Sequence, residues 1–164
     1  LSLGSLYRKR GTNAAAVRSY KNSLEITANF PAKNDMHRDT LRLLVVSYFD
    51  MNRKNEVEKY IQELGAYTQE YVTDTDSYLP VILQRPDYPA KALRDKLEAR
   101  VTIEFDVDTN GKVINPRLQE LNGDEIFVAN SIKAIEDFYF IPRYRNGSPE
   151  VTRDVQYTFA FSLQ

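Results

Sequence analysis

The chain has 164 residues, room for one ordinary domain or two small ones, and its 42% apolar content against 27% charged residues excludes a disordered chain. A net charge of −1 argues against nucleic acid as the partner. The absence of cysteine excludes disulfides and cysteine–zinc sites, and no apolar run approaches the roughly 20 residues that span a bilayer. The charge is uneven: residues 1–72 hold 11 Lys/Arg and 8 Asp/Glu, while residues 73–164 hold 11 and 15. Residue 1 is Leu and no signal peptide is visible, so the chain is expected to be a piece of a longer protein, with any anchor or export signal upstream.

Residues 1–72 read as helices. Leu3-Gly4 and Tyr7 lead to Lys9-Arg10-Gly11, basic residues and a glycine where a helix would stop. Thr12 or Asn13 can cap a second helix with the apolar stripe Ala16, Val17, Tyr20, Leu24. After a break at 30–34, Asp35 can cap a third, with Leu41, Leu44, Val45 and Tyr48. Asn55 and Glu58 have the spacing of a capping box and predict a fourth, with Val57, Tyr60, Ile61, Leu64, and Tyr67 and Tyr71 beyond. The single histidine, His37, falls among polar residues and is expected on the solvated surface.

These helical hairpins repeat. Leu3, Gly4, Tyr7, Ala16, Tyr20 and Ser23 match Leu44, Val45, Tyr48, Val57, Ile61 and Leu64 at a period of 41 residues. The pattern resembles tetratricopeptide repeats, which carry Leu-Gly-x-x-Tyr and then a small residue and an aromatic on the second helix. The second copy departs from it: Val45 stands for the glycine and Val57 for the alanine.

Residues 73–78 are polar and turn-prone and predict a linker between domains at 1–72 and 79–164. Residues 79–89 carry Pro80, Pro86 and Pro89 and should be extended, with Pro89 opening a helix through Ala92, Leu93 and Leu97. The period then changes. Val101, Ile103, Phe105 and Val107 alternate with polar residues, and Asp108-Thr109-Asn110-Gly111 is a hairpin signal. Residues 113–121 read as an edge strand, because Pro116 cannot donate to a ladder. Asp124 can cap a helix with Phe127, Val128, Ile132, Ile135 and Phe138, and a turn at 145–149 precedes the last strand. That strand, 151–163, alternates throughout except at Arg153, whose break in the pattern is read as a ragged strand start.

The order helix, strand, strand, helix, strand predicts an α+β fold: N-terminal helical hairpins, then a three-stranded antiparallel sheet with two helices on one face. The simplest topology puts 101–107 in the middle. One edge, 113–121, is blunted by Pro116. The other, 151–163, has no proline and stays open to a further strand.

Residues 79–164 resemble the C-terminal domain of the TonB family of energy transducers. The resemblance rests on Tyr88-Pro89 before a short helix, the alternating 101–107 followed by Asn110-Gly111 and Val113, the motif Phe138-Tyr139-Phe140-Ile141-Pro142, Gly147 with Pro149, and the terminal alternating strand. Ala99 stands where the family has a glycine before the first strand, and Phe138 where it has a tryptophan. The resemblance implies a periplasmic, non-enzymatic module that takes up the TonB-box peptide of an outer-membrane transporter by strand addition. It would support iron-siderophore or vitamin uptake, and an upstream segment would join an inner-membrane motor complex.

On that reading the edge comprises Val151, Thr152, Arg153, Asp154, Val155, Gln156, Tyr157 and Thr158, acting through their backbones, with Arg153, Gln156 and Thr158 as selectors. Tyr88 and Pro89 are secondary contact candidates. The helices would recruit a further protein. Pairing with a second copy is an alternative use of the edge, and an adaptor whose sheet domain only caps the helices is an alternative function. No catalytic, cofactor or metal motif is visible: Asp74/Asp76 and Asp106/Asp108 lack the ligand spacing of a calcium loop.

Overall fold

The computed structural model of the protein describes residues 12–28, 35–71 and 79–163. The helix expected around Leu3 and Tyr7, the break at 30–34 and the linker at 73–78 lie outside the described residues.

The helices are α1 (Asn13–Thr27), α2 (Asp35–Asp50) and α3 (Lys54–Tyr71). Their buried positions are the apolar stripes: Ala16, Val17 and Tyr20 on α1, Leu41, Leu44, Val45 and Tyr48 on α2, Val57, Tyr60, Ile61 and Leu64 on α3. That is the 3.6-residue spacing of a one-sided helix. A three-residue turn, with Asn52 at φ 55°, folds α3 back on α2. α3 begins at Lys54, so Asn55 lies in its first turn and is not its cap. His37 is not a free surface residue. Its Nδ1 lies 2.9 Å from Thr27 Oγ1, and its ring is 4.8 Å from that of Tyr67.

The second half holds β1 (Pro80–Ile82), a short α4 (Ala90–Arg94), β2 (Ala99–Val107), β3 (Val113–Asn122), a 3-10 turn at Glu125–Phe127 and α5 (Val128–Ile135). β4 (Tyr139–Phe140), β5 (Arg143–Arg145), β6 (Ser148–Glu150) and β7 (Thr152–Phe161) follow. The main sheet has the order β3-β2-β7, antiparallel throughout. Its core face, with Val101, Ile103, Phe105, Val155, Phe159 and Phe161, packs on Ala92, Phe127, Ala134, Ile135 and Phe138. Asp124 caps the turn before α5, its Oδ1 accepting from the Ile126 N–H at 2.9 Å.

Two ribbons of two short strands join the expected three-stranded sheet: β1 with β4, and β5 with β6 around Asn146-Gly147. α4 also differs from expectation. Pro89 is its cap and not its first residue, Lys96 at φ 53° follows its end, and Leu93 points to solvent with 54% exposure. Ala99, which stands for the family's glycine, makes no tight turn. Ala99 opens β2, and the close approach is made by Gly123 (φ 132°), just past the end of β3, where a Cβ would come within 2.6 Å of the Ala99 Cβ.

The helices and the sheet half are packed together. Ile82, Tyr139 and Ile141 belong to the helical core, and the Phe49 ring meets Tyr139 edge-on at 6.2 Å. The β2–β3 hairpin tip reaches α3: Gln62 Nε2 donates to Asn110 Oδ1 at 2.6 Å. The Tyr144 hydroxyl donates to the Gln62 carbonyl at 3.1 Å, and Arg42 donates to the Pro80 carbonyl at 3.1 Å.

Candidate functional site

β7 is a terminal strand with β2 on one side and no other strand on the other among the described residues. The proline-rich lead-in contributes β1, which pairs with β4 and not with β7. An edge strand of this kind presents unpaired N–H and C=O groups along its length.

The edge is not uniform. Val155 pairs with Phe105, but the next partners are Thr152 and Val107, so Arg153 and Asp154 lie opposite Asp106 alone. This is a β-bulge, and Asp154 takes a left-handed φ of 56° within it. The bulge, not a ragged start, is why Arg153 breaks the alternation. With Val155 facing the core, an unbulged strand would turn Arg153 inward as well. The extra residue resets the alternation and leaves Arg153 73% exposed. Beyond the bulge, residues 155–161 pair with 105–99 without interruption. The sequence-predicted site 151–158 is thus divided at its third and fourth residues.

Asp106 organises this level of the sheet. It is 6% exposed although Thr102 and Glu104, which share its face of β2, are only half-buried. Oδ1 accepts from the Asp154 backbone N–H at 3.1 Å, and Oδ2 accepts from Asn115 Nδ2 at 3.1 Å, with Arg153 3.8 Å from Oδ2. Asn115 is itself left-handed (φ 53°) and lies with Pro116 in a second bulge, on β3. The Asn115 hydrogen bond, then the Asp154 N–H, then the Arg117 and Arg153 charges hold the Asp106 carboxyl below its ordinary range, against the opposing effect of burial. The sequence marked Asp106 only as a carboxylate near a turn. The signals that could have found it are the break at Arg153 and the Asn115-Pro116 pair inside a strand.

The expected selectors divide. Gln156 donates to Glu104 Oε2 at 2.9 Å, and the Thr158 hydroxyl is 2.9 Å from that of Thr102, so both are tied to β2 across the open face. Arg117 adds contacts to Glu104 at 2.6 Å and to Asp154 at 2.8 Å. On the core face, half-buried Tyr157 meets the Phe138 ring edge-on at 5.0 Å, and Phe159 meets it at 5.8 Å. Phe138 is wholly buried. Tyr88 is part of the same core. Its ring stands edge-on to Phe127 and Phe161, at 5.4 and 5.7 Å, and its hydroxyl donates to the Leu97 carbonyl.

Residues 84–163 match the family described as Gram-negative bacterial TonB protein C-terminal. Just under half of the chain is therefore similar to a TonB C-terminal domain. The match begins at Gln84, so β1 and the three helices lie outside it. Among solved structures, the TonB C-terminal domain of Pseudomonas aeruginosa, determined by solution NMR, is similar at 22% identity and a TM-score of 0.47. The similarity covers 56% of this chain and 92% of that one. The TonB2 protein of Vibrio anguillarum is similar at 22% identity and a TM-score of 0.42, covering 57% of this chain and 88% of that one. No curated protein matches. Within the matched segment, β7 is the last strand, and its outer side is the site built above.

Proposed function

We propose that this chain is a periplasmic module of TonB-dependent transport that binds the TonB-box peptide of an outer-membrane transporter by strand addition to β7. The observation that carries the reading is the uncovered, uninterrupted edge at 155–161 within a segment similar to a TonB C-terminal domain. Backbone hydrogen bonds supply the affinity. At about 0.5–1.5 kcal/mol each, less the cost of ordering the peptide, a ladder of this length gives a micromolar-class, reversible contact. Side chains supply the selection. Guest residues on the core side would meet Tyr157, and those on the open side would meet Gln156, Thr158 and Ala160.

The helical half, read as tetratricopeptide-like, would hold a further protein, and an upstream segment would connect to the inner-membrane motor. A second reading is an adaptor in which the helices bind and the sheet half serves as their cap. It is favoured by one observation, the insertion of Ile82, Tyr139 and Ile141 into the helical core.

The test uses a labelled TonB-box peptide and two N-methylated versions, each modified at alternate residues. A strand laid on an edge directs every second amide at its neighbour. One version should therefore lose binding while the other keeps it. Equal loss in both, or no binding by the unmodified peptide, would reject strand addition and leave the adaptor reading.

A further inference from the structure

We propose that Asp106 is a positioning residue for the guest strand: by holding the Arg153–Asp154 bulge it sets the point, Val155, at which a ladder on β7 must stop. The proposal rests on the strand-addition reading. Asp106 lies on the central strand and faces neither outer edge, so it acts through β7.

Both edges of the sheet are bulged at one level of β2. On β7, Arg153 and Asp154 oppose Asp106; on β3, Asn115 and Pro116 fall between the partners of Glu104 and Asp106. Each bulge contains a left-handed residue that is not glycine, Asp154 at 56° and Asn115 at 53°. Such a backbone persists only where its surroundings hold it. The Asp106 carboxylate supplies the hold on both sides, one oxygen to the Asp154 N–H and the other to the Asn115 amide. Arg153 gives the β7 bulge its purpose, because regular pairing would direct its charge into the core. The bulge turns the strand away from a straight line, and a guest lying along 155–161 runs out of aligned partners there. The stop is therefore built by a residue that the guest does not meet.

The experiment measures affinity against guest length in the intact chain, using TonB-box peptides extended residue by residue at both ends. In parallel, the HN–Hα coupling of residue 154 and its intraresidue HN–Hα NOE are measured in the unbound protein, where the two together separate a left-handed φ from an extended one. In the wild type the affinity should level off once about seven residues are covered, with less than about a twofold gain beyond. In Asp106→Ala, which leaves no acceptor for either bulge, residue 154 should leave the left-handed region. Longer peptides should then go on gaining, by about tenfold, as 151–154 becomes free to lie extended beside them.

Adding Asp154→Gly to Asp106→Ala should restore both the left-handed φ and the original plateau, because glycine needs no hold there. A loss of general stability would not move a plateau or be undone at residue 154. An Asp106→Ala chain with unchanged φ at residue 154 and unchanged plateau overturns the proposal. If Asp106→Ala does not fold, the double variant should; failure of both to fold also overturns it. If no peptide binds the wild type, strand addition fails, while φ at residue 154 still decides whether Asp106 holds the bulge.

Discussion

Gly111 and Phe140 are joined backbone to backbone, the Phe140 N–H donating to the Gly111 carbonyl at 2.8 Å. Gly111 has a φ of 80°, and a Cβ there would fall 2.1 Å from the Phe140 carbonyl oxygen and 2.8 Å from Ile61 Cγ2. The hairpin tip, β4 and α3 meet at this point. Gly111→Ala must overcome both a left-handed backbone and an overlap with main chain that cannot rotate away. A loss of at least about 3 kcal/mol is expected. Urea unfolding of the variant checks it, and a loss under about 1 kcal/mol would mean that the tip is not held there.

Gly65 tests the same junction from the side of α3. In a helix interior, Gly→Ala gains about 1 kcal/mol. Here the added Cβ would stand 2.6 Å from Tyr144 Cε2, and overpacking costs about 1–3 kcal/mol. Gly65→Ala should therefore be neutral to destabilising in the wild type. In a Tyr144→Ala background it should stabilise by about 1 kcal/mol. The double-mutant cycle measures the difference, and additivity would show that α3 and β5 are not in contact.

Two groups give stability a pH dependence. His37 has its pKa lowered from 6.5, by burial first, with Glu63 opposing. Its unfolded state thus binds the proton more readily, so its contribution is complete above pH 6.5 and is lost as the pH falls through the folded value. Asp106 is also lowered, from 3.8, so its contribution is complete above pH 3.8 and is lost at more acid pH, as its folded value is passed. Unfolding midpoints across pH 7 to 5 should fall in the wild type and fall less in His37→Gln. Asp106→Asn should flatten only the acid region below pH 3.8.

Tyr88 is a core residue with a bonded hydroxyl, and the substitution that separates core from contact is Tyr88→Phe. It should cost about 1 kcal/mol, the usual worth of one hydrogen bond, and leave peptide affinity unchanged. An unchanged stability with weakened binding would make Tyr88 a contact residue after all.

The parts that the sequence revealed are those with a period or a strong local signal. Val101 to Val107 alternate, Asp108 to Gly111 turn, Asp124 caps, and Pro116 marks an edge, and each has its place in the fold. β1, β4, β5 and β6 are two or three residues long, too short to show a period, and they form because larger elements bring them together. The bulge at Arg153 escaped because one residue out of step looks like noise until its hydrogen-bond partner is known. His37 reads as a surface residue because its own segment is polar; Thr27 and Tyr67, which cover it, come from other helices. Leu93 failed in the opposite sense, as an apolar residue on a helix too short to bury it.

The tip of the β2–β3 hairpin ends among α3 side chains. A tug on a strand seated against β7 would pass sideways into β2 as shear across their common ladder. It would then leave the sheet where Asn110 and Gly111 meet Gln62 and Ile61. Under strand addition the helices would then stand in the line of tension, so the give of the sheet under traction would depend on the stiffness of the helices behind it.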